Sequence, residues 1–226
     1  MATFGHTKNY FGLEIIQNLF AMAKGQLTIC AMPSFAESHL PNILSVFHQQ
    51  IPNVNLRIVD VVMEQVIHEV TTGRSEIGFS FEPERKDGLV FKSLFADEFV
   101  VVTNKAQSAH LGDKLHWQDC LKLPLVMMNR GSAVRHWTQS KLAQYGELNI
   151  IAETGQLSTL GKLILNGLGI SIMPAICKAQ MEGLGLVTKE ISDMPLVKNI
   201  GIIRNARKGL SLPAQSMWDM AVAHYE

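Results

Sequence analysis

The chain has 226 residues, of which 47% are hydrophobic and 7% aromatic, and its 20 Lys+Arg balance 20 Asp+Glu. This composition excludes a disordered or fibrous chain and allows one large domain or two of about 100 residues each. Zero net charge and a pI near 7.1 give no long-range pull toward a phosphate backbone, so charge offers no support for direct nucleic-acid binding.

Residues 1–9 (MATFGHTKN) read as neither core nor cap. Residues 13–23 end in Ala21-Met22-Ala23, a small-residue pattern of the kind a signal peptidase cleaves, but Glu14, Gln17 and Asn18 interrupt the apolar stretch a signal requires. Leu13, Ile16, Leu19, Phe20 and Ala23 instead fall at helical spacing and predict an amphipathic helix. No apolar run reaches the roughly 18–20 residues that span a bilayer. The three cysteines, Cys30, Cys120 and Cys177, form no CxxC pair, and a reduced, cytoplasmic setting is expected. The histidines are scattered and read as ordinary surface or packing residues.

From Gly25 the chain alternates strand-like and helix-like pieces. Residues 27–32 suit a buried strand stopped by Pro33-Ser34. Ser34 and Glu37 have the spacing of a capping box, and Ala36, Leu40, Ile43, Leu44 and Phe47 mark one helix face ending before Pro52. Pro41 inside that span predicts an irregular first turn or a later start. Val54, Leu56 and Ile58 alternate as a strand, Val66, Ile67 and Val70 suit a helix closed by Gly73, and 76–81 reads as a third strand. Such alternation implies right-handed crossovers and a parallel sheet covered on both faces.

Two further strands, 89–95 and 99–103, precede a polar stretch, 104–114, where a crossing is placed. The cycle then restarts with strand 125–128, helix 132–145 closed by Gly146, strand 148–152, helix 157–166 and strand 170–173. Residues 197–204 form a strand able to cross back, and 212–225 a last helix with Trp218 and Val222 facing inward. The expected organisation is α/β: a lead-in over 1–24, lobe I over 25–103 plus 204–226, and lobe II over 104–203, with a cleft between the lobes.

Enzyme motifs fail on inspection. Residues 155–162 (GQLSTLGK) miss the phosphate-loop spacing by one, and Leu163 stands where a hydroxyl would have to reach magnesium. No G-x-S-x-G or H-E-x-x-H occurs, and Asp97-Glu98 reads as a solvated strand edge. No catalytic group, metal or cofactor is expected. Helix N-termini are more informative, because their unpaired N–H groups and dipole suit anions. Pro33-Ser34-Phe35, Asn129-Arg130-Gly131-Ser132 and Gly155-Gln156-Leu157-Ser158 all follow strands, on the side where open α/β sheets collect ligands. Ser34 and Ser132 are either ligand readers or simple helix caps.

The series GQLTI at 25–29, PSF at 33–35, IPNV at 51–54 and TGRSEIGF at 72–79 resembles the effector-binding domain of LysR-type transcriptional regulators. The second half agrees, with LKLPLV at 121–126, GSAVR at 131–135 and NGLGISIMP at 166–174. The resemblance covers about 25–226 and implies two Rossmann-like lobes of the periplasmic-binding-protein type, joined by two crossing strands around an effector cleft. The effector would be a small molecule, often a carboxylate. By position, Ser34, Phe35, Asn129 to Ser132 and Gly155 to Ser158 would contact it, with Phe79 and Phe81 as the floor. Met63 stands where many members have a Ser or Thr that reaches the effector, so the ligand is expected to be less polar there.

Resemblance further implies a homodimer through region 54–73 against lobe II of the partner, and a tetramer in the full-length regulator. DNA would be touched only by a winged-helix half for which this chain has no room, residues 10–24 being the end of its linker helix. One branch of the family senses peroxide through a cysteine pair near 129–140. The stretch NRGSAVRHWTQS has no cysteine, which excludes that mechanism here. A transporter's solute-binding protein is the alternative reading, sharing lobes and cleft but requiring export.

Overall fold

The computed structural model describes residues 25–226, so the lead-in and the helix expected over 13–23 lie outside the described residues. Strand β1 (Gly25–Ala31) pairs in parallel with β2 (Val54–Asp60) on one side and β3 (Ile77–Phe81) on the other. Leu27, Ile29 and Ala31 enter the main core, whereas Cys30 faces the opposite side, against Val66 and Val70 of α3 (Met63–Thr72) and Ile203. Both faces of this sheet are therefore covered, as its apolar run requires. Gly73 ends α3 at φ 76°, a left-handed conformation that costs least where there is no Cβ.

The single helix expected after β1 is two: α1 (Pro33–Ser38) and α2 (Leu40–Gln50), meeting at His39. Pro41 lies in the first turn of α2, where its missing N–H costs nothing. The capping box over Ser34 and Glu37 does not form. Pro33 takes the first helical position and makes Met32 the cap residue, whose carbonyl accepts from the N–H groups of Phe35 at 3.0 Å and Ala36 at 2.9 Å.

Residues 89–103 form one 15-residue strand, β4 (Leu89–Thr103), instead of the two strands expected. Along 89–98 it runs antiparallel to β10 (Val197–Asn205), and along 99–103 antiparallel to β8 (Ser171–Pro174) and β9 (Val187–Ile191). The register skips Leu94 opposite Ile200 and Gly201, so a bulge absorbs one residue. β10 lies between β3 and β4, giving the order β2-β1-β3-β10-β4-β9-β5 with β8 also paired to β4; β5 is Lys114–Leu115. The sheet is thus mixed: its β2-β1-β3 part follows the parallel pattern expected, β5 also pairs in parallel with β9, and the strands between are antiparallel.

Beyond β4 come α4 (Lys105–Ser108) and α5 (Trp117–Cys120), then β6 (Leu125–Met128), paired in parallel with β7 (Ile150–Thr154). Helices α6 (Ala133–Leu142) and α7 (Leu157–Leu165) follow β6 and β7. After β8 a 3-10 turn (Ala175–Cys177) leads into α8 (Lys178–Gly183). Trp117 is fully buried, and its indole N–H donates to the Asp193 carbonyl at 2.9 Å, pinning the segment that returns toward β10. The last helix, α9 (Leu212–Ala223), buries Ala214, Met217 and Ala221. Trp218 and Val222, expected inward, flank that face and are only partly covered.

Two α/β lobes result, with β4 continuous through both. Asp97 sits where β4 changes partners and is no solvated edge: it is 7% exposed, and its carboxylate accepts the Ile176 N–H at 3.2 Å. Burial pushes its carboxyl up to about 6. Among the described residues, no helix is long and apolar enough to cross a membrane.

Candidate functional site

Four helices, α1, α3, α6 and α7, begin around one cleft between the lobes, which holds about 600 Å³ with its open mouth. Their cap residues are Met32, Val62, Ser132 and Gln156, and none of these side chains makes a capping hydrogen bond. Apart from those that donate to a cap carbonyl, such as Phe35 to Met32 and Gln65 to Val62, their first-turn N–H groups are left to water or to a ligand. Ser132 stands at the cap position of α6 without acting as a cap, and Ser34 lies inside the first turn of α1. The cap reading of both serines is thereby overturned.

Of the residues expected at the site, Pro33, Ser34, Met63, Phe81, Ser132, Gly155 and Leu157 line this cleft. Phe35 and Phe79 do not. Both are fully buried beneath it, stacked at 4.6 Å between ring centroids, and they support the floor without forming it. Arg130 and Gly131 border a shallower recess at the mouth, with Met63, Glu64 and His136. Asn129 ties two loops together: its N–H donates to the Thr154 carbonyl at 2.9 Å, and its carbonyl accepts from Ser132 at 3.0 Å. Its amide packs against Gly155 so closely that a Cβ there would lie 2.8 Å away, which explains the glycine. Ser158 faces a separate cavity on the far side of Ser34.

The sequence reading missed the methionines. Met32, Met128 and Met173 join Met63 in the lining, and Cys177 completes the apolar wall with its thiol pushed up to about 12 by burial. Their adaptable thioethers suit an apolar ligand surface. Among the described residues, no Lys, Arg or His lines the cleft, and Glu64 is the one charged residue of its lining. The nearest cation described at the mouth is Arg130, 85% exposed and 3.6 Å from Glu153.

Arg135, only 4% exposed, holds the loop in front of α6. It donates to the Met128 carbonyl at 3.0 Å, to Gln139 at 2.7 Å and to Glu153 at 3.1 Å. The guanidinium keeps the Glu153 carboxyl below its usual range. Arg135→Met is expected to cost about 2 kcal/mol, lowering the melting temperature by about 5 °C. An unchanged calorimetric transition would mean that backbone bonds alone hold the loop.

A family model described as the LysR substrate binding domain matches residues 21–226. The transcriptional regulator YfeR of Shigella flexneri is 25% identical over 198 residues, 87% of this chain and 64% of its own length. The activator CmpR of Synechocystis is 23% identical over 94% of this chain and 70% of its own. The chain therefore spans about two thirds of these relatives. Among solved structures, the effector binding domain of QuiR in complex with shikimate superposes with a TM-score of 0.81 at 16% identity, covering 90% of this chain and 98% of that one. The regulatory domain of Synechocystis CcmR in complex with 2-PG gives 0.80 at 19% identity, covering 89% and 98%. The matched proteins are regulators and their effector domains, which sets aside the reading as a transporter's solute-binding protein.

Proposed function

We propose, from the premise that this chain belongs to the family of LysR substrate-binding domains, that it senses an effector with an apolar body and an anionic end, typically a carboxylate. The observation that carries this reading is the cleft itself: four helix N-termini without side-chain caps meet over a wall of methionines. With no cationic side chain among the described residues of the lining, the anion would be read by first-turn N–H groups and by the Ser34 and Ser132 hydroxyls, a dipolar rather than ionic recognition. The apolar body would lie on Met63, Met128 and Met173. Ligand would then favour one arrangement of the lobes and bias a DNA-binding half without any chemistry of its own.

The expected lobe division, 25–103 plus 204–226 against 104–203, is kept as part of this proposal. Pairing through region 54–73 against the partner's lobe II, assembly of the full-length regulator as a tetramer and a cytoplasmic location belong to the same proposal.

A thermal-shift screen of the chain tests it, starting with shikimate and 2-PG and extending to aliphatic and aromatic carboxylates. A ligand at a hundred times its Kd adds about 2.7 kcal/mol, or about 5–10 °C for a chain of this size. Because neither serine caps its helix, Ser34→Ala and Ser132→Ala should leave the ligand-free transition within about 0.5 kcal/mol. Each should weaken binding about tenfold, the loss of one hydrogen bond to a charged group. Binding unaffected by both substitutions removes the hydroxyls from the recognition scheme.

A further inference from the structure

Helix α1 carries Pro33 and Ser34 into the cleft, yet its six residues are too few to hold a place by helical hydrogen bonding alone. Packing on one side and at one end fixes it. Phe35, fully buried, stacks on Phe79 at 4.6 Å, and His39 forms the joint to α2, its N–H donating to the Phe35 carbonyl at 3.1 Å. The His39 ring continues the stack, 5.5 Å from Phe35 with planes 19° apart and 5.0 Å from Phe95 of β4. Phe95 in turn meets the ring of Tyr225, just past α9, at 5.2 Å. An unbroken column of rings, Phe79, Phe35, His39, Phe95 and Tyr225, thus runs from beneath the cleft to the end of α9.

One polar contact locks this column. The Tyr225 hydroxyl lies 2.6 Å from His39 Nδ1, a partly buried contact between residues 186 positions apart. Burial pushes the phenol up to about 12, so its oxygen keeps its proton. Burial, with His224 as a second cause, lowers the His39 ring below its ordinary value and keeps it neutral at neutral pH. The phenol therefore donates, Nδ1 accepts, and the ring proton sits on Nε2. Stacking alone tolerates several offsets between rings, whereas a hydrogen bond at one edge holds the His39 ring in a single orientation.

We propose that Tyr225 is a positioning residue for the effector cleft: its hydroxyl, bonded to His39, sets the pose of α1 and with it the reach of Ser34 into the cleft. The effect on binding rests on the reading of the cleft given above, and the effect on α1 does not. Affinity is thereby tuned from a residue outside the cleft lining.

The test compares Tyr225→Phe, which keeps the ring and removes the hydroxyl, with His39→Phe, which keeps the stack and removes the acceptor, and with the double variant. Amide NMR of each folded 226-residue chain is recorded without ligand and during titration with sodium octanoate, an apolar chain with a carboxylate end. Tyr225→Phe is expected to move the Ser34, Phe35 and Ala36 amides in the ligand-free chain and to weaken octanoate binding about threefold to tenfold, the contribution of one neutral hydrogen bond. On the His39→Phe background the same substitution should do neither, because its partner is already gone. A tyrosine with a merely structural role would lower the melting temperature in both backgrounds and leave the α1 amides of the folded chain unmoved. Unmoved α1 amides in Tyr225→Phe, or effects that add in the double variant, would overturn the proposal. Should octanoate fail to shift Ala133 and Leu157 in the parent chain, the reading of the cleft fails with that probe, and the ligand-free α1 amides still decide the role of Tyr225.

Discussion

Phe79→Ala is expected to lower the free energy of unfolding by about 3–5 kcal/mol and to weaken effector binding with it. Phe79 is fully buried, and its ring stacks on Phe35 at 4.6 Å with planes 11° apart. Phe35 in turn stacks on His39 at the junction of α1 and α2. Truncation leaves a void directly beneath α1, the helix that carries Pro33 and Ser34 into the cleft. The void costs lost contacts as well as transfer free energy, because a packed core relaxes only in part. Urea unfolding checks the first effect, and ligand titration at a temperature where the variant stays folded checks the second. A loss under about 1 kcal/mol would mean that α1 collapses onto the gap.

Asp97→Asn should do the reverse at neutral pH. The folded-state carboxyl lies at about 6 against an ordinary 3.8, with burial as the first cause. A raised acid favours the protonated form in the folded state, so stability is greatest below the ordinary value and declines as pH rises through about 6. A shift of about two pH units corresponds to about 3 kcal/mol lost by neutral pH. Asparagine keeps an oxygen for the Ile176 N–H and carries no charge to desolvate. The variant should match the parent near pH 4 and exceed it by about 2–3 kcal/mol at pH 7.5. Comparing the two chains cancels carboxylates shifted the other way, such as Glu82 beside Asn199 and Lys86. A difference that stays flat from about pH 4 to 7.5 would refute the assignment.

Much of the fold was legible because its signals are local. Pro41 marked the restart of a helix, Gly73 marked the end of one, and the alternating run at 54–58 gave a strand in place. Elements defined by distant partners were not legible. β4 read as two strands because Ala96, Asp97 and Glu98 break its apolar run, and what joins the halves is β10, about 100 residues later in the chain. Asp97 read as solvated because its partner, the Ile176 N–H, is 79 positions away. β9 has no alternation to mark it, and its place is set by pairing with the distant strands β4 and β5.

The site divides in the same way. Glycines and helix starts located the loops, so Ser34, Ser132, Gly155 and Leu157 could be named from the sequence. Phe35 and Phe79 could not be told from lining residues, since an aromatic beside a site and one beneath it have the same sequence neighbours. Met32, Met128 and Met173 end strands or flank them and looked like core, which they also are.

The uninterrupted course of β4 fixes how the two halves of the molecule are indexed to each other. Successive side chains on a strand alternate between faces, so inserting one residue between 89 and 98 would exchange the two faces, both of them buried over 99–103, for everything downstream. Phe99, Val101 and Thr103 would trade places with Val100 and Val102, and β8 and β9 would meet the wrong sides. The bulge at Leu94 already spends the one irregularity this path contains. β4 can therefore accept changes of side chain far more readily than changes of length, and a single-residue deletion there should disable the second lobe while leaving its own sequence intact.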